Sequence, residues 1–144
     1  MRVKTAIFVV TGICCGALQV QLTGAESAAE LQKDPVAVTE QWLGLNDNGK
    51  YADSWQAAAA YFQGAVKKDQ WTQTMMAMRT PLGAVRSRKL WAQQNTTSLP
   101  GAPDGEYVVL QYQTSFEKKE SAVETVTPMR ERDGTWRIAG YYIR

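Results

Sequence analysis

Residues 106–116 read EYVVLQYQTSF. In an extended chain, successive side chains point to opposite faces. Val108, Leu110, Tyr112, Thr114 and Phe116 then share one face, and Tyr107, Val109, Gln111 and Gln113 the other. This period of two predicts a strand with its more apolar side turned to a core. Towards the C-terminus, residues 118–120 read as a hairpin turn and 122–131 as the next strand. Pro128 within that strand marks an edge or a bulge, because proline lacks the N–H a ladder needs. Asp133-Gly134 is a two-residue hairpin signal, and residues 135–143 form the closing strand. Towards the N-terminus, Pro100-Gly101 and Pro103-Asp104-Gly105 place a loop over 95–104, preceded by a strand at 85–94.

Before Gly83 the period is helical. Asp34-Pro35 opens a helix, with Asp able to cap free N–H groups and Pro pre-set for the first helical position. Val38, Trp42 and Leu45 make its apolar stripe, and Asn48-Gly49 closes it. A second helix is predicted over 50–62, with Tyr51, Trp55, Ala58 and Phe62 on one face. A third is capped by Asp69, carries Trp71, Met75 and Met78, and ends at Thr80-Pro81-Leu82-Gly83. Three helices followed by about four antiparallel strands predict an α+β domain over 34–144. Its N-terminal helices pack on a curved antiparallel sheet, and the two layers enclose a cone-shaped pocket.

Several segments taken in order carry a resemblance: WLGLNDNGKYADSW (42–55), Trp71 with RTPLG (79–83), Arg86 and Arg88, LPGAPDGEYVVLQY (99–112), VETVTP (123–128) and DGTWRIAGYYIR (133–144). Together they resemble the bacterial domain of unknown function 4019 family over about residues 34–144. That family is similar to the nuclear-transport-factor-two-like, or cystatin-like, superfamily. The resemblance implies a cystatin-like cone and no activity, since one such fold hosts enzymes beside non-catalytic domains.

Residues 1–25, MRVKTAIFVVTGICCGALQVQLTGA, have a basic start, an apolar run from Ala6 to Leu18 and small residues before Ala25. This is the layout of a signal peptide, cut after Ala25 or alternatively after Ala17. Gln19 and Gln21 interrupt the run short of the roughly 20 apolar residues a spanning helix needs. A periplasmic or secreted protein follows, with residues 26–33 as a polar tether or a frayed first helical turn, and no stable membrane span after cleavage. Cys14 and Cys15, the only cysteines, leave with the leader, and the chain has no histidine. The 16 Lys and Arg face 14 Asp and Glu, and two of the basic residues, Arg2 and Lys4, lie in the leader. The mature chain is near neutral, which argues against a nucleic-acid partner.

Without Cys and His, the usual zinc sites and the Ser-His-Asp and Cys-His systems are excluded. No glycine-rich phosphate loop occurs, and Asp47, Asp53, Asp104 and Asp133 do not make a calcium loop. The expectation is therefore no metal, no cofactor and no catalytic set. Carboxylate and tyrosine chemistry remains: Asp53, Glu106 or Glu124 as a base, with Tyr51, Tyr107, Tyr112 or Tyr141 as donor. That combination suits an isomerase or dehydratase acting on a small hydrophobic substrate. Arg86 and Arg88, two apart on a strand, point to the same side. With Arg79 they read either as a clamp for an anionic ligand or as ion pairs with Glu106 or Glu124. The tryptophans at 42, 55 and 71 fall on core stripes. The candidate ligand-binding residues are Tyr51, Trp55, Arg79, Arg86, Arg88, Tyr107, Glu124 and Tyr141. The preferred function is a non-catalytic exported module that binds an unknown small molecule or periplasmic protein. Apolar side chains on both faces of 106–116 add the expectation of a homodimer formed through the open sheet face.

Overall fold

A computed structural model describes residues 24–144, with side chains from Ser27 onward. The leader expected at 1–25 lies, but for its last two residues, outside the described residues. Of the tether and the helical turn expected over 26–33, the chain forms a helix, α1 (Gly24–Leu31), whose alanines, glutamates and leucine are strong helix formers. Among the described residues no helix is long and apolar enough to cross a membrane.

Helix α2 (Pro35–Asp47) starts as the sequence predicts, the Asp34 side chain accepting from the Val36 N–H at 2.9 Å. It buries Val38, Trp42 and Leu43 against the sheet. The single helix expected over 50–62 is two short ones, α3 (Tyr51–Gln56) and α4 (Ala60–Ala65). Between them the chain docks on the sheet: Ala59 N–H donates to the Ile138 carbonyl at 2.8 Å, and Ala58 and Ala59 are fully buried. The Gln63 side-chain amide caps the freed carbonyls of Trp55, Gln56 and Ala58. Helix α5 (Lys68–Arg79) begins two residues earlier than expected, its cap at Lys67 and Asp69 in its first turn.

Four strands follow: β1 (Val85–Thr96), β2 (Tyr107–Phe116), β3 (Lys119–Arg130) and β4 (Trp136–Ile143). They pair antiparallel in the order β1-β2-β3-β4, a meander whose helix-facing side carries Val108, Leu110, Tyr112, Thr114 and Phe116, all buried. Pro128 sits in an interior strand and is accommodated by a bulge between Thr127 and Pro128, so the bulge reading holds and the edge reading does not. The helices and sheet enclose Trp42, Trp71, Met75, Leu110, Val126 and Ile138. Phe62, Trp71, Trp42 and Tyr141 pack ring to ring at centroid distances of 5.0–6.2 Å. The Trp42 and Trp71 indoles both donate to Ser54, to its carbonyl at 2.8 Å and its hydroxyl at 3.0 Å. Between the two layers, the expected pocket is filled by the protein's own aromatic rings.

Candidate functional site

At the α5 end of this interior, each of the four strands contributes one polar side chain to a single network: Arg88 from β1, Thr114 from β2, Glu124 from β3 and Tyr141 from β4. Helices α2 and α5 supply Asp47 and Arg79, the last residue of each. Glu124, fully buried, is the hub. Its Oε2 accepts from Arg88 Nε and Thr114 Oγ1, both at 2.6 Å, and its Oε1 from Tyr141 OH at 2.7 Å and Arg79 Nη1 at 3.4 Å. Asp47 lies at the rim, its side chain 25 % exposed, and bridges Arg79 Nη2 at 2.6 Å to the Arg88 fork at 2.6 and 3.0 Å. The Arg79 guanidinium also stacks over the Phe116 ring at 5.0 Å.

Two guanidiniums meet two carboxylates, so the network is neutral and its charges are matched within itself. Burial works against the charge on Asp47, but hydrogen bonds and attraction from Arg88 and Arg79 outweigh it and hold the carboxyl below the usual range. Burial likewise opposes the charge of both arginines. It is overcome at Arg79 by Tyr141 and Asp47 and at Arg88 by Asp47 and Glu124. The Tyr141 phenol is pushed up, first by burial and then by the neighbouring Glu124 carboxylate, so it stays protonated and donates. Such an arrangement ties six elements together. It offers neither an unoccupied fork for an anion nor a free lone pair for a base.

The structure thus brings together four of the expected site residues, Arg79, Arg88, Glu124 and Tyr141, and separates the rest. Arg86 is the extra residue of a bulge between Val85 and Ser87, which turns it away from Arg88 and leaves it exposed. The expectation that the two arginines share a face therefore fails. Tyr51 and Trp55 are half-buried supports of the core, the Trp55 indole donating to the Val66 carbonyl at 2.7 Å. Tyr107 is buried beneath the 97–105 loop, its hydroxyl donating to the Pro103 carbonyl. Glu106 pairs at the surface with Arg130 at 3.1 Å, and Asp53 is exposed. Asp47 and Thr114 are the network members the sequence reading misses. A carboxylate on the last turn of a helix faces the negative end of its dipole, and that was the available sign that Asp47 needs a cation. Among the described residues no group of three potential metal ligands occurs.

A second feature lies at the opposite end of the sheet. After a bulge between Leu90 and Ala92, Gln93 and Asn95 stand opposite Leu110 and Val108, on the helix-facing side. No helix covers them there, and both are exposed. With Pro35, Glu106, Val108 and Trp136 they line a groove of about 580 Å³. The loop at its rim is pinned by Gly105 N–H to the Thr97 carbonyl at 3.0 Å and by Tyr61 OH to the Gly101 carbonyl at 2.7 Å. Gly101 holds a φ of +78°, which favours glycine.

Residues 38–141 match the family model described as Protein of unknown function (DUF4019). The chain belongs to this family. No curated protein matches it. The matched span of this DUF4019 chain contains all six network residues and ends on Tyr141, while Pro35 at the groove falls outside it.

Proposed function

We propose that this protein is a non-catalytic binding module, periplasmic or secreted once its leader is cut, that engages its ligand through the surface and not through the helix–sheet interior. The observation that carries this reading is the self-saturation of the interior. Arg79 and Arg88 already hold two carboxylates, and aromatic rings fill the space beside them. Of the three carboxylates offered as the base for the isomerase or dehydratase alternative, Glu124 already accepts from four donors, Glu106 is paired with Arg130 at the surface and Asp53 is exposed, so none faces a substrate in the interior. The groove beneath β1 is lined by none of Arg79, Glu124 and Tyr141. The uncovered second half of β1 and the pinned loop beside it are the surface best suited to contact.

Hydrogen exchange of the purified protein, with and without native periplasmic extract, tests the reading. Added protection over 92–97 and 99–105 supports it. Added protection centred on residues 79, 88, 124 and 141 places the ligand inside and overturns it. The location is tested separately by the intact mass of the protein from its native cell: loss of residues 1–25 is expected, and an uncut cytoplasmic product refutes export.

A further inference from the structure

We infer that the groove beneath β1 is a binding site for a neutral, hydroxyl-rich ligand, a saccharide unit of a glycan. The inference rests on the surface-binding reading above and names the ligand class for it. Four observations about the groove point the same way.

First, the lining pairs planar polar groups with apolar rings. Gln93 and Asn95, two apart on one face of β1, project amides from one wall, and Thr96, Thr97 and Glu106 add hydroxyls and a carboxylate. Val108, Pro35 and the half-buried Trp136 supply the apolar surface. A sugar ring presents the complementary pair, hydroxyls at its rim and C–H groups on its faces. Amides and carboxylates meet the first with directed hydrogen bonds, and an aromatic ring meets the second.

Second, the two amides and the indole are uncommitted. Among the described residues, neither the Gln93 nor the Asn95 side chain hydrogen-bonds to protein, and the Trp136 indole N–H has no protein acceptor. The indoles of Trp42, Trp55 and Trp71 are all tied down. The helix-facing side of a sheet is ordinarily apolar. Two amides and a free indole there are better explained by a ligand than by the core.

Third, charge excludes the competing classes. The one carboxylate lining the groove, Glu106, is balanced by Arg130 at 3.1 Å, and the Tyr107 phenol there, pushed up by burial, is neutral. With no unpaired cation, a phosphate or carboxylate has no counter-charge, and with amides along one wall an acyl chain would strand polar groups. Fourth, the volume of about 580 Å³ lies within the roughly 300–1,000 Å³ usual for small-molecule sites. The hydrogen bonds that pin the neighbouring loop keep the rim from having to order on binding.

The test is a titration of the purified protein with cellobiose, maltose and chitobiose, followed through the tryptophan indole N–H resonances by two-dimensional NMR. A saturable shift of the Trp136 indole with at least one sugar is expected, with the Trp42, Trp55 and Trp71 indoles unmoved. The double variant Gln93→Ala, Asn95→Ala should weaken that binding by about tenfold or more. Its melting temperature should hold, since both side chains are exposed and unbonded. Glu106→Gln provides a second variant with the same expectation of weakening. Absence of a Trp136 shift with all three sugars at tens of millimolar overturns the inference, as does binding that survives undiminished in both variants. Either result is distinct from failure of the broader reading. That reading stands if hydrogen exchange still finds ligand protection over 92–97 and falls if protection moves to the interior.

Discussion

Replacing Glu124 by Gln is the sharpest perturbation of the interior network, because it keeps the shape of the side chain and removes only its charge. In the native protein the Glu124 carboxylate takes two bonds from guanidiniums, at 2.6 and 3.4 Å, and two from hydroxyls, at 2.6 and 2.7 Å. The amide retains one acceptor. Its NH₂ can face Tyr141, whose hydroxyl turns to accept, but Arg79 at that same corner then meets a donor. The two arginines are left with Asp47 as their sole carboxylate. Hydrogen bonds to charged groups contribute about 1.5–3 kcal/mol each, and removing one partner of a buried ion pair costs about 3–5 kcal/mol. The two routes agree on a loss of about 3–5 kcal/mol. For a domain of this size that lowers the melting temperature by roughly 10–25 °C, at about 3–5 °C per kcal/mol. Urea denaturation followed by tryptophan fluorescence measures the loss directly, and an unchanged m-value shows that the native state remains compact. Glu106→Gln is the internal control. Its ion pair with Arg130 is surface-exposed, 60 % and 47 % for the two side chains, so a loss of about 0–1 kcal/mol is expected there. A Glu124→Gln loss below about 1 kcal/mol, or one no larger than that of Glu106→Gln, would refute the argument that the buried network holds the layers together.

Acid should weaken the protein through Asp47. Its folded pKa is depressed, so its contribution is complete above the unfolded value of about 3.9 and is lost as pH falls from there through the folded value. Asp47→Asn should flatten that part of the stability–pH curve, measured by denaturant melts from pH 6 down to about pH 2. An unchanged acid limb would show that other groups dominate. Tyr141→Phe should cost about 1–2 kcal/mol, since the hydroxyl donates to Glu124 and accepts from Arg79. Tyr112→Phe should be neutral or stabilising, because the Tyr112 hydroxyl is buried without a protein partner among the described residues. Thermal melts that rank these two variants the other way contradict the bonding described. Gly83→Ala should destabilise by about 1–2 kcal/mol: φ is +74°, and a Cβ there would lie 2.7 Å from Glu117 Oε2. A variant as stable as the parent would show that the α5–β1 turn yields without strain.

The sheet was readable because its signals are local. Alternation in 107–116 and the prolines of the 99–105 loop each act within a few residues and appear where expected, while Asp133-Gly134 marks the β3–β4 turn, which is a five-residue connection instead of a two-residue one. The departures come from pairing and packing, which no short window contains. Arg86 and Trp91 become bulge residues because β1 must keep register with β2 over its full length. The run Ala57–Ala60 has no helix-breaking residue. The helix stops there because the Ala59 N–H finds the β4 edge at Ile138. The same division holds at the site. The basic and acidic candidates at 79, 88 and 124 stood out by residue type, and Tyr141 as a donor. Their partner Asp47 comes from a helix 32 residues before Arg79, and only the fold joins the two. Gln93 and Asn95 gave no sign in the sequence, since what distinguishes them is the missing helix cover above that end of the sheet.

Because every strand places one side chain in the buried network, the order of events in folding is constrained. Arg79 meets Glu124 across 45 residues and Tyr141 across 62, and Arg88 meets Asp47 across 41. Contacts of such separation form after the hairpins and helices that need only neighbours, since their loop-closure entropy comes first. The network then closes as the final latch on an already assembled chain. Interactions absent from the transition state slow escape from the native state without hastening arrival. Weakening the hub should therefore show mainly as faster unfolding, with refolding nearly unchanged. It also follows that a chain emerging N-terminus first has only Asp47 to match two guanidiniums until β3 brings Glu124, and lacks the Tyr141 hydroxyl until β4 arrives, so its first hundred residues do not settle alone.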